Sequence, residues 1–158
     1  MKIGVFYFTT TGNTLMLAQQ LEKSFISCGH QVQLFNVSTF NFDNLVADYD
    51  LFCLGCSAQG NEELDDNDFL VFFNHIKPLL INKKVMLFGS YGWGNAEYMD
   101  NWGKQLSDLG VYVISMFAHK ETPNQAALDY LDTVCKNISN NFEQLKTTTI
   151  IHDLLDNN

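Results

Sequence analysis

Residues 2–14 read KIGVFYFTTTGNT and indicate how the chain begins to fold. Ile3–Phe8 is a nearly continuous apolar run, which is typical of a strand buried on both faces of a parallel sheet. Thr9–Thr14 is a short polar loop with one glycine, and Leu17 begins a helical pattern just after it. A buried strand, a tight loop and a helix in this order predict the first unit of an α/β domain.

Apolar runs and amphipathic stretches alternate along the rest of the chain. The first predicted helix has an inner face of Leu17, Leu21, Phe25 and Cys28, and Gly29 ends it. By the same criteria, four more strands are predicted at residues 32–37, 51–56, 85–89 and 111–117.

Three more helices are predicted after the third, fourth and fifth strands. Asn67 is expected to cap the first of them, Leu109 to end the inner face of the second, and Asn124 to cap the third. Five strands and four helices in strict alternation predict a parallel sheet with helices on both faces, a three-layer α/β/α sandwich. Residues 144–158 follow a complete fold of residues 1–143, and they could form an extra helix, an extra strand or a frayed tail.

The composition limits the functions that this domain can have. A chain of 158 residues suits one domain, and its formal net charge is −9, with nine lysines and no arginine. Nucleic-acid binding needs a basic stripe, which the sequence lacks. No apolar run is long enough to span a bilayer and no signal-peptide pattern is present, so we expect a cytoplasmic protein without membrane contact.

The cysteines do not predict a metal site. Cys53 and Cys56 form a C-x-x-C pattern, but they lie inside an apolar run and no second pair of Cys or His is suitably spaced. We therefore expect these two, together with Cys28 and Cys135, to be reduced and packed as small apolar groups.

A ligand is expected beyond the carboxyl ends of the strands, near the point where the strand order reverses. The first loop at this edge consists of Thr9, Thr10, Thr11, Gly12, Asn13 and Thr14. It opens a helix, where free backbone amides and the helix dipole favour an anion, and the hydroxyls add neutral donors. Since the loop has no lysine and no G-K-[ST] ending, it predicts a monophosphate rather than a nucleoside triphosphate. A threonine-rich cap without a ligand is the alternative.

Two further loops should lie beside the first one. The loop after the third strand consists of Ser57, Ala58, Gln59, Gly60, Asn61 and Glu62, and its Gly-Asn pair is a turn signal. The loop after the fourth strand consists of Ser90, Tyr91, Gly92, Trp93 and Gly94. Its two aromatic side chains are expected to be exposed at the sheet edge, which suggests a flat ring as the ligand, although Trp93 taken alone could be ordinary packing.

Three motifs in the same order carry a resemblance to a known family. They are TTTGNT at 9–14, GCSAQGNE at 55–62 and GSYGWG at 89–94. On these motifs the sequence resembles the short-chain flavodoxins of the clostridial type over roughly residues 1–142, and it lacks the insertion that marks long-chain flavodoxins. The resemblance implies a flavodoxin-like, doubly wound, five-stranded parallel sheet of order 2-1-3-4-5 and non-covalently bound FMN.

The resemblance also implies roles for single residues. Thr9–Thr14 would hold the phosphate, Ser57 and Ala58 would lie near the ribityl chain and the ring, and Trp93 would stack on the outer face of the isoalloxazine.

The loop after the third strand is implied to tune the flavin. Glu62 would accept a hydrogen bond from ring N3, and the Gly60–Asn61 peptide would flip on one-electron reduction so that the Gly60 carbonyl accepts the N5–H bond. Two residues depart from the clostridial pattern, because Gln59 replaces a methionine and Asn61 replaces an aspartate.

An acidic run of Glu62, Glu63, Asp65, Asp66 and Asp68 follows this loop. Acids at a helix N-terminus favour the helix dipole, which explains the run in part. Near a reduced anionic flavin, several such charges would also lower the second reduction potential by on the order of 100 mV.

Together with the three loops and the acidic run, the resemblance implies a function in electron transport. We expect a monomeric flavodoxin, not an enzyme, that carries electrons on FMN between a reductase and acceptor enzymes docking at its acidic flavin edge. One alternative is an FMN-dependent quinone or porphyrinogen oxidoreductase on the same scaffold. Another is a flavoprotein specific to one redox or assembly partner, with residues 144–158 as its docking element.

Overall fold

The computed structural model describes residues 1–43, 45, 48–59, 63–92, 94, 96–146 and, as backbone only, 149–152. The strands are β1 (Lys2–Phe8), β2 (Gln31–Asn36), β3 (Leu51–Cys56), β4 (Lys84–Tyr91), β5 (Tyr112–Lys120) and β6 (Thr149–His152). The helices are α1 (Asn13–Ser27), α2 (Asp68–Leu80), α3 (Glu97–Asp108) and α4 (Gln125–Asn141).

The strands form one parallel sheet of order β2-β1-β3-β4-β5-β6. The five-strand order 2-1-3-4-5 is therefore confirmed. The additional strand, β6, pairs with β5 from Ser115 beside Thr149 to Ala118 beside His152. Part of the segment 144–158 thus extends the sheet as a strand, which was one of the three possibilities that the sequence left open.

Helices cover both faces of the sheet, as predicted. On one face, Leu21 and Phe25 of α1 pack in the same core as Leu131 of α4. On the other face, α2 and α3 share a core in which Trp102 meets Phe69 edge-on, with 5.2 Å between the ring centroids. Burial of these two apolar layers is the main force that holds the sandwich together.

The strict alternation of strands and helices is not found between β2 and β3. Among the described residues of 37–50 no helix forms, and aromatic side chains cover this part of the sheet instead. Phe40 lies 4.6 Å from Phe35 of β2, and Phe42 meets Phe72 of α2 edge-on at 5.3 Å, both measured between ring centroids. The connecting loop therefore buries apolar surface with aromatic rings.

One of the three predicted helix ends is as expected and two are not. Asn124 caps α4 as predicted, because its Oδ1 accepts a hydrogen bond of 2.8 Å from the amide of Ala127. Asn67 stands at the N-cap position of α2 but its side chain caps nothing; Asp65 Oδ2 accepts from the amide of Phe69 at 2.9 Å instead. Leu109 lies beyond the end of α3 and is 43% exposed rather than on its inner face.

Cys53 and Cys56 are buried in β3 and pack on opposite faces of the sheet. Burial raises the pKa of both thiols well above the ordinary range. Each helix in the described part of the chain is too short or too polar to cross a membrane.

The chain start is tied to α4 through one histidine. The Met1 ammonium lies 2.8 Å from His30 Nδ1, and His30 Nε2 lies 3.0 Å from the Ser139 hydroxyl. Only a neutral imidazole can accept from an ammonium at Nδ1, so Nε2 carries the proton and donates to Ser139. Burial, and then the charge of the ammonium, lower the pKa of His30 below its ordinary 6.5.

This contact predicts a loss of stability in acid. Because the folded pKa of His30 lies below the unfolded value of 6.5, its stabilising contribution is complete above that pH and disappears as the pH falls through the folded pKa. Urea unfolding of the wild type should therefore show a larger drop in stability below pH 6.5 than unfolding of His30→Gln, which keeps the hydrogen-bonding atoms but cannot titrate. Parallel pH profiles for the two proteins would contradict this assignment.

Candidate functional site

The three loops predicted to form the site meet at the carboxyl edge of the sheet. β1, β3 and β4 are neighbours, so the loops that follow them are adjacent in space. The amide of Ala58 donates to the carbonyl of Ser90 at 2.9 Å, which joins the second loop to the third. The strand order thus brings the described parts of the three loops together.

The first loop is prepared for an anion at its helix end. Gly12 is the N-cap of α1, with φ at +92°, and no side chain caps the helix. Its amide donates to Thr9 Oγ1 at 3.1 Å, while the side chains of Thr10 and Thr11 are exposed. The amides of the first helical turn, from Asn13 onward, are therefore left for an external acceptor at the positive end of the helix dipole.

The Thr14 hydroxyl, predicted to be a donor to the ligand, is instead buried against Ser90. Thr14 is completely buried, its Oγ1 lies 3.2 Å from Ser90 Oγ, and the Ser90 amide donates to it at 3.3 Å. The hydroxyl therefore joins the start of α1 to the end of β4 rather than facing a ligand. The backbone amide of Thr14 still belongs to the first helical turn.

The second loop is closed by a pair of backbone hydrogen bonds. The Gln59 amide donates to the Glu63 carbonyl at 2.7 Å, and the Glu63 amide donates to the Gln59 carbonyl at 3.0 Å. Ser57 is buried, and the Gln59 side chain donates to its hydroxyl at 3.0 Å. Four of the predicted site residues lie outside the described residues: Gly60, Asn61, Glu62 and Trp93.

Tyr91 is not exposed as predicted. β4 continues two residues beyond its predicted end at Gly89, so Tyr91 is part of the strand, and it is only 6% exposed in the core of the α2 and α3 face. Gly92 and Gly94, which follow it, are exposed. The expected aromatic surface therefore depends on Trp93 alone.

Tyr98 is a supporting residue that sequence reasoning missed. Its hydroxyl donates to the Cys56 carbonyl at 3.2 Å and lies 3.4 Å from the Ser90 carbonyl, so it bridges the ends of β3 and β4. Gly89 makes room for it, because a Cβ there would lie 2.4 Å from the Tyr98 hydroxyl and 2.1 Å from the Cys56 carbonyl oxygen. The spacing of Gly89 and Tyr98 matches no known motif, so the glycine at 89 was the one sequence feature that indicated a close approach at this point.

The loop after β5 also reaches this edge, although no motif in the sequence indicated it. β5 continues to Lys120, three residues beyond its predicted end at Phe117. Glu121 follows with φ at +60°, and its amide donates to the carbonyl of Tyr91 at 2.7 Å. A fourth loop is thereby fixed against the third one.

The described acids beside the second loop face solvent or cap a helix. Glu63, Asp66 and Asp68 are exposed, whereas Asp65 is half-buried and caps α2 as described above. The loop 9–14 has no lysine. The described part of this edge thus combines a loop without charged side chains, at a helix N-terminus, with a neighbouring negative surface.

Comparison with known proteins agrees with this arrangement. The sequence profile of the flavodoxin family matches residues 5–131. A flavodoxin of Megasphaera elsdenii is 40% identical over 124 residues, which are 78% of this chain and 90% of that protein. A flavodoxin of Clostridium beijerinckii is 35% identical over 129 residues, covering 81% and 93%.

A solved structure shows the same fold. The solution structure of the two-electron reduced Megasphaera elsdenii flavodoxin superposes with a TM-score of 0.75 at 36% identity, covering 85% of this chain and 98% of that one. The profile match, the identity to both relatives and this superposition agree with the order of the strands and with the three loops at their carboxyl ends. The chain therefore belongs to the flavodoxin family.

Proposed function

We propose that this protein is an electron carrier, not an enzyme, that moves electrons between a reductase and low-potential acceptor enzymes on FMN. Electron transfer on non-covalently bound FMN is the function of the flavodoxin family, and FMN supplies the one-electron chemistry when it is bound. The observation that supports this function most directly is the start of α1, an uncapped helix N-terminus with a positive-φ glycine and no cation in the loop.

The residues of the first loop fit the phosphate of FMN. An anion at this position would accept hydrogen bonds from the first-turn amides and from the exposed hydroxyls of Thr10 and Thr11. Nothing lies within 4 Å of the point where a Cβ on Gly12 would stand, so the backbone is open to close approach. Thr9 holds the loop in shape through its bond to the Gly12 amide.

The second and third loops are proposed to hold the ring system. Ser57, Ala58 and Gln59 would lie along the ribityl chain and the ring, with Gly60, Asn61 and Glu62 forming the tuning turn. The two hydrogen bonds between Gln59 and Glu63 support this role, because they fix both ends of the turn. With these ends fixed, the proposed reorientation of the Gly60–Asn61 peptide would not require β3 or α2 to move. Ser90, Tyr91, Gly92, Trp93 and Gly94 would complete the site, with Trp93 as the stacking residue.

Partner proteins are proposed to dock at the acidic flavin edge. The exposed Glu63, Asp66 and Asp68 lie beside the tuning turn, and the whole chain has a formal net charge of −9. Such a surface attracts basic partners over distances of about a Debye length, so association should weaken as salt increases. We also propose a monomeric, cytoplasmic protein with an FMN-binding domain of residues 1–143 and an extension of residues 144–158.

The phosphate site is tested by two glycine substitutions at opposite ends of α1. Gly12 and Gly29 have φ of +92° and +90°, and a Cβ added at either position would have no atom within 4 Å. Each Gly→Ala change should cost the apoprotein about 1–2 kcal/mol through the same backbone strain. Only Gly12→Ala should weaken FMN binding, by about tenfold or more. Quenching of flavin fluorescence during titration of the apoprotein measures the difference.

Two results of this experiment would contradict the prediction. Equal FMN affinity in Gly12→Ala and Gly29→Ala would remove the phosphate from this loop. Failure of the wild-type apoprotein to take up any FMN would remove the proposed function as a whole. Riboflavin serves as the control ligand, because it lacks the phosphate and should bind both variants alike.

The electron-carrier function is tested by spectro-electrochemical titration of the FMN-loaded protein. A carrier should be reduced in two well-separated one-electron steps, with a very low potential for the second. The alternative enzyme should be reduced in what is close to a single two-electron step, and it should oxidise a nicotinamide donor with a quinone or porphyrinogen as acceptor. This second pattern would contradict the proposal.

A further inference from the structure

Three large apolar side chains are exposed close together at the amino edge of the sheet. Ile81 is 49% exposed, Leu109 43% and Tyr112 38%. Ile81 and Leu109 are the C-cap residues of α2 and α3, and Tyr112 is the first residue of β5. The loops of the candidate site follow the carboxyl ends of the strands, so these three side chains lie at the opposite edge of the sheet.

Backbone hydrogen bonds hold the two connections that carry these side chains next to each other. The amide of Asn82 donates to the carbonyl of Gly110 at 2.9 Å, and the amide of Tyr112 donates to the carbonyl of Lys83 at 2.9 Å. Ile81 Cγ2 lies 3.7 Å from the point where a Cβ on Gly110 would stand. The exposed apolar side chains therefore belong to one continuous and ordered surface.

Two shallow grooves, both open to solvent, cross this part of the protein. The first is lined by Lys77, Pro78, Ile81 and Leu109. The second lies beside it, and its lining includes Tyr112 and Lys146. We call the two grooves together the amino-edge surface. Each groove thus combines exposed apolar groups with the side chain of a lysine.

The charged side chains of the amino-edge surface are positive. Among the described residues that line the two grooves, those that carry a charge are Lys77 and Lys146. Asp108, which precedes this surface on α3, is compensated by Lys104 at 3.2 Å. Lys77 Nζ lies 5.1 Å from the centroid of the Phe73 ring, a contact that leaves its charge uncancelled. A lysine in the last turn of a helix also favours the helix dipole, which explains Lys77 in part.

A small positive surface on a strongly acidic protein restricts the kind of partner that fits it. The chain has a formal net charge of −9, so a nucleic acid, an anionic bilayer or a second copy would be repelled by the protein as a whole. A short acidic segment would instead interact mainly with charges within a Debye length, about 8 Å at physiological salt. The charges therefore favour a short segment over an extended anionic surface.

We propose that the amino-edge surface docks a short acidic segment of a partner protein, with apolar side chains on one face and carboxylates beside them. The apolar face would cover Ile81, Leu109 and Tyr112, and the carboxylates would meet Lys77 and Lys146. An amphipathic helix has this arrangement of side chains. A partner held here leaves the acidic flavin edge free, and its docking does not depend on the proposed electron-carrier function.

The test is a titration of the FMN-loaded protein with a synthetic helical peptide that carries leucines on one face and glutamates on the other. Backbone amide NMR shifts report where the peptide binds. Saturable shifts are expected within residues 77–83 and 107–112, and none at Thr9–Thr14. The same peptide with lysines in place of the glutamates should leave residues 77–83 and 107–112 unshifted, because Lys77 and Lys146 repel it.

Two pairs of variants separate the apolar contribution from the charge. Ile81→Gln should weaken binding of the acidic peptide about tenfold, since an apolar contact is lost, and Ile26→Gln, at a 54% exposed isoleucine on α1, is the matched control. Lys146→Gln should weaken binding about threefold at low salt and have no effect at high salt, with Lys23→Gln as its control. Amide spectra without peptide check that each variant is folded.

Four outcomes would overturn the proposal. The first is the absence of saturable shifts at millimolar peptide, and the second is equal peptide affinity in the wild type and Ile81→Gln. The third is a dimer of the wild type alone that Ile81→Gln dissociates in sedimentation experiments, which would make a second copy the occupant. The fourth is binding to vesicles of phosphatidylcholine and phosphatidylglycerol that shifts the same residues, which would make a membrane the occupant.

Discussion

Ser90 at the end of β4 joins the loops of the candidate site to one another. Its hydroxyl and amide both contact Thr14 Oγ1, at 3.2 and 3.3 Å, which fixes the start of α1 against β4. Its carbonyl accepts from the Ala58 amide at 2.9 Å and lies 3.4 Å from the Tyr98 hydroxyl. These bonds are almost completely buried, so losing a partner would leave polar groups unsatisfied in the core. The geometry of the whole carboxyl edge depends on this set of contacts.

The electrostatics of the edge follow from how the protein would hold an anion. With a net charge of −9, the protein as a whole repels a phosphate, so binding must come from short-range donors. Backbone amides at a helix start provide such donors without adding a full positive charge. In the proposed function, the acids beside the second loop would act on the flavin and on partner proteins without a lysine in the first loop to oppose them.

The sequence was sufficient to predict those features that depend on the spacing of apolar residues and on local turns. Apolar runs and helical spacing were sufficient for five parallel strands with helices on both faces, whereas the strand order 2-1-3-4-5 was implied by the resemblance of three motifs. Asn124 caps α4 as predicted because capping is a local property. Contacts between residues far apart in the chain could not be predicted in this way. The Thr14 hydroxyl, which was expected to face the ligand, instead contacts the hydroxyl of Ser90, 76 residues away in the sequence.

Other differences have causes that the periods of the apolar residues do not show. Tyr91 is buried because β4 continues further along β5 than its own apolar run indicates. Asp65 caps α2 in place of Asn67, since the turn before the helix brings a carboxylate closer to the amide. β6 pairs with residues 115–118 of β5, and the sequence of the segment left a strand, a helix and a tail open because pairing depends on a distant strand.

The contact between Thr14 and Ser90 is tested most directly by Thr14→Val, which keeps the shape of the side chain and removes its hydroxyl. Thr133→Val, at an exposed position on α4, is the matched control. Urea unfolding of the apoprotein and FMN titration should be measured on both variants. We expect Thr14→Val to lose about 1–3 kcal/mol of stability and to bind FMN more weakly, with Thr133→Val close to the wild type. Unchanged stability and FMN affinity in Thr14→Val would contradict the central role given to this contact.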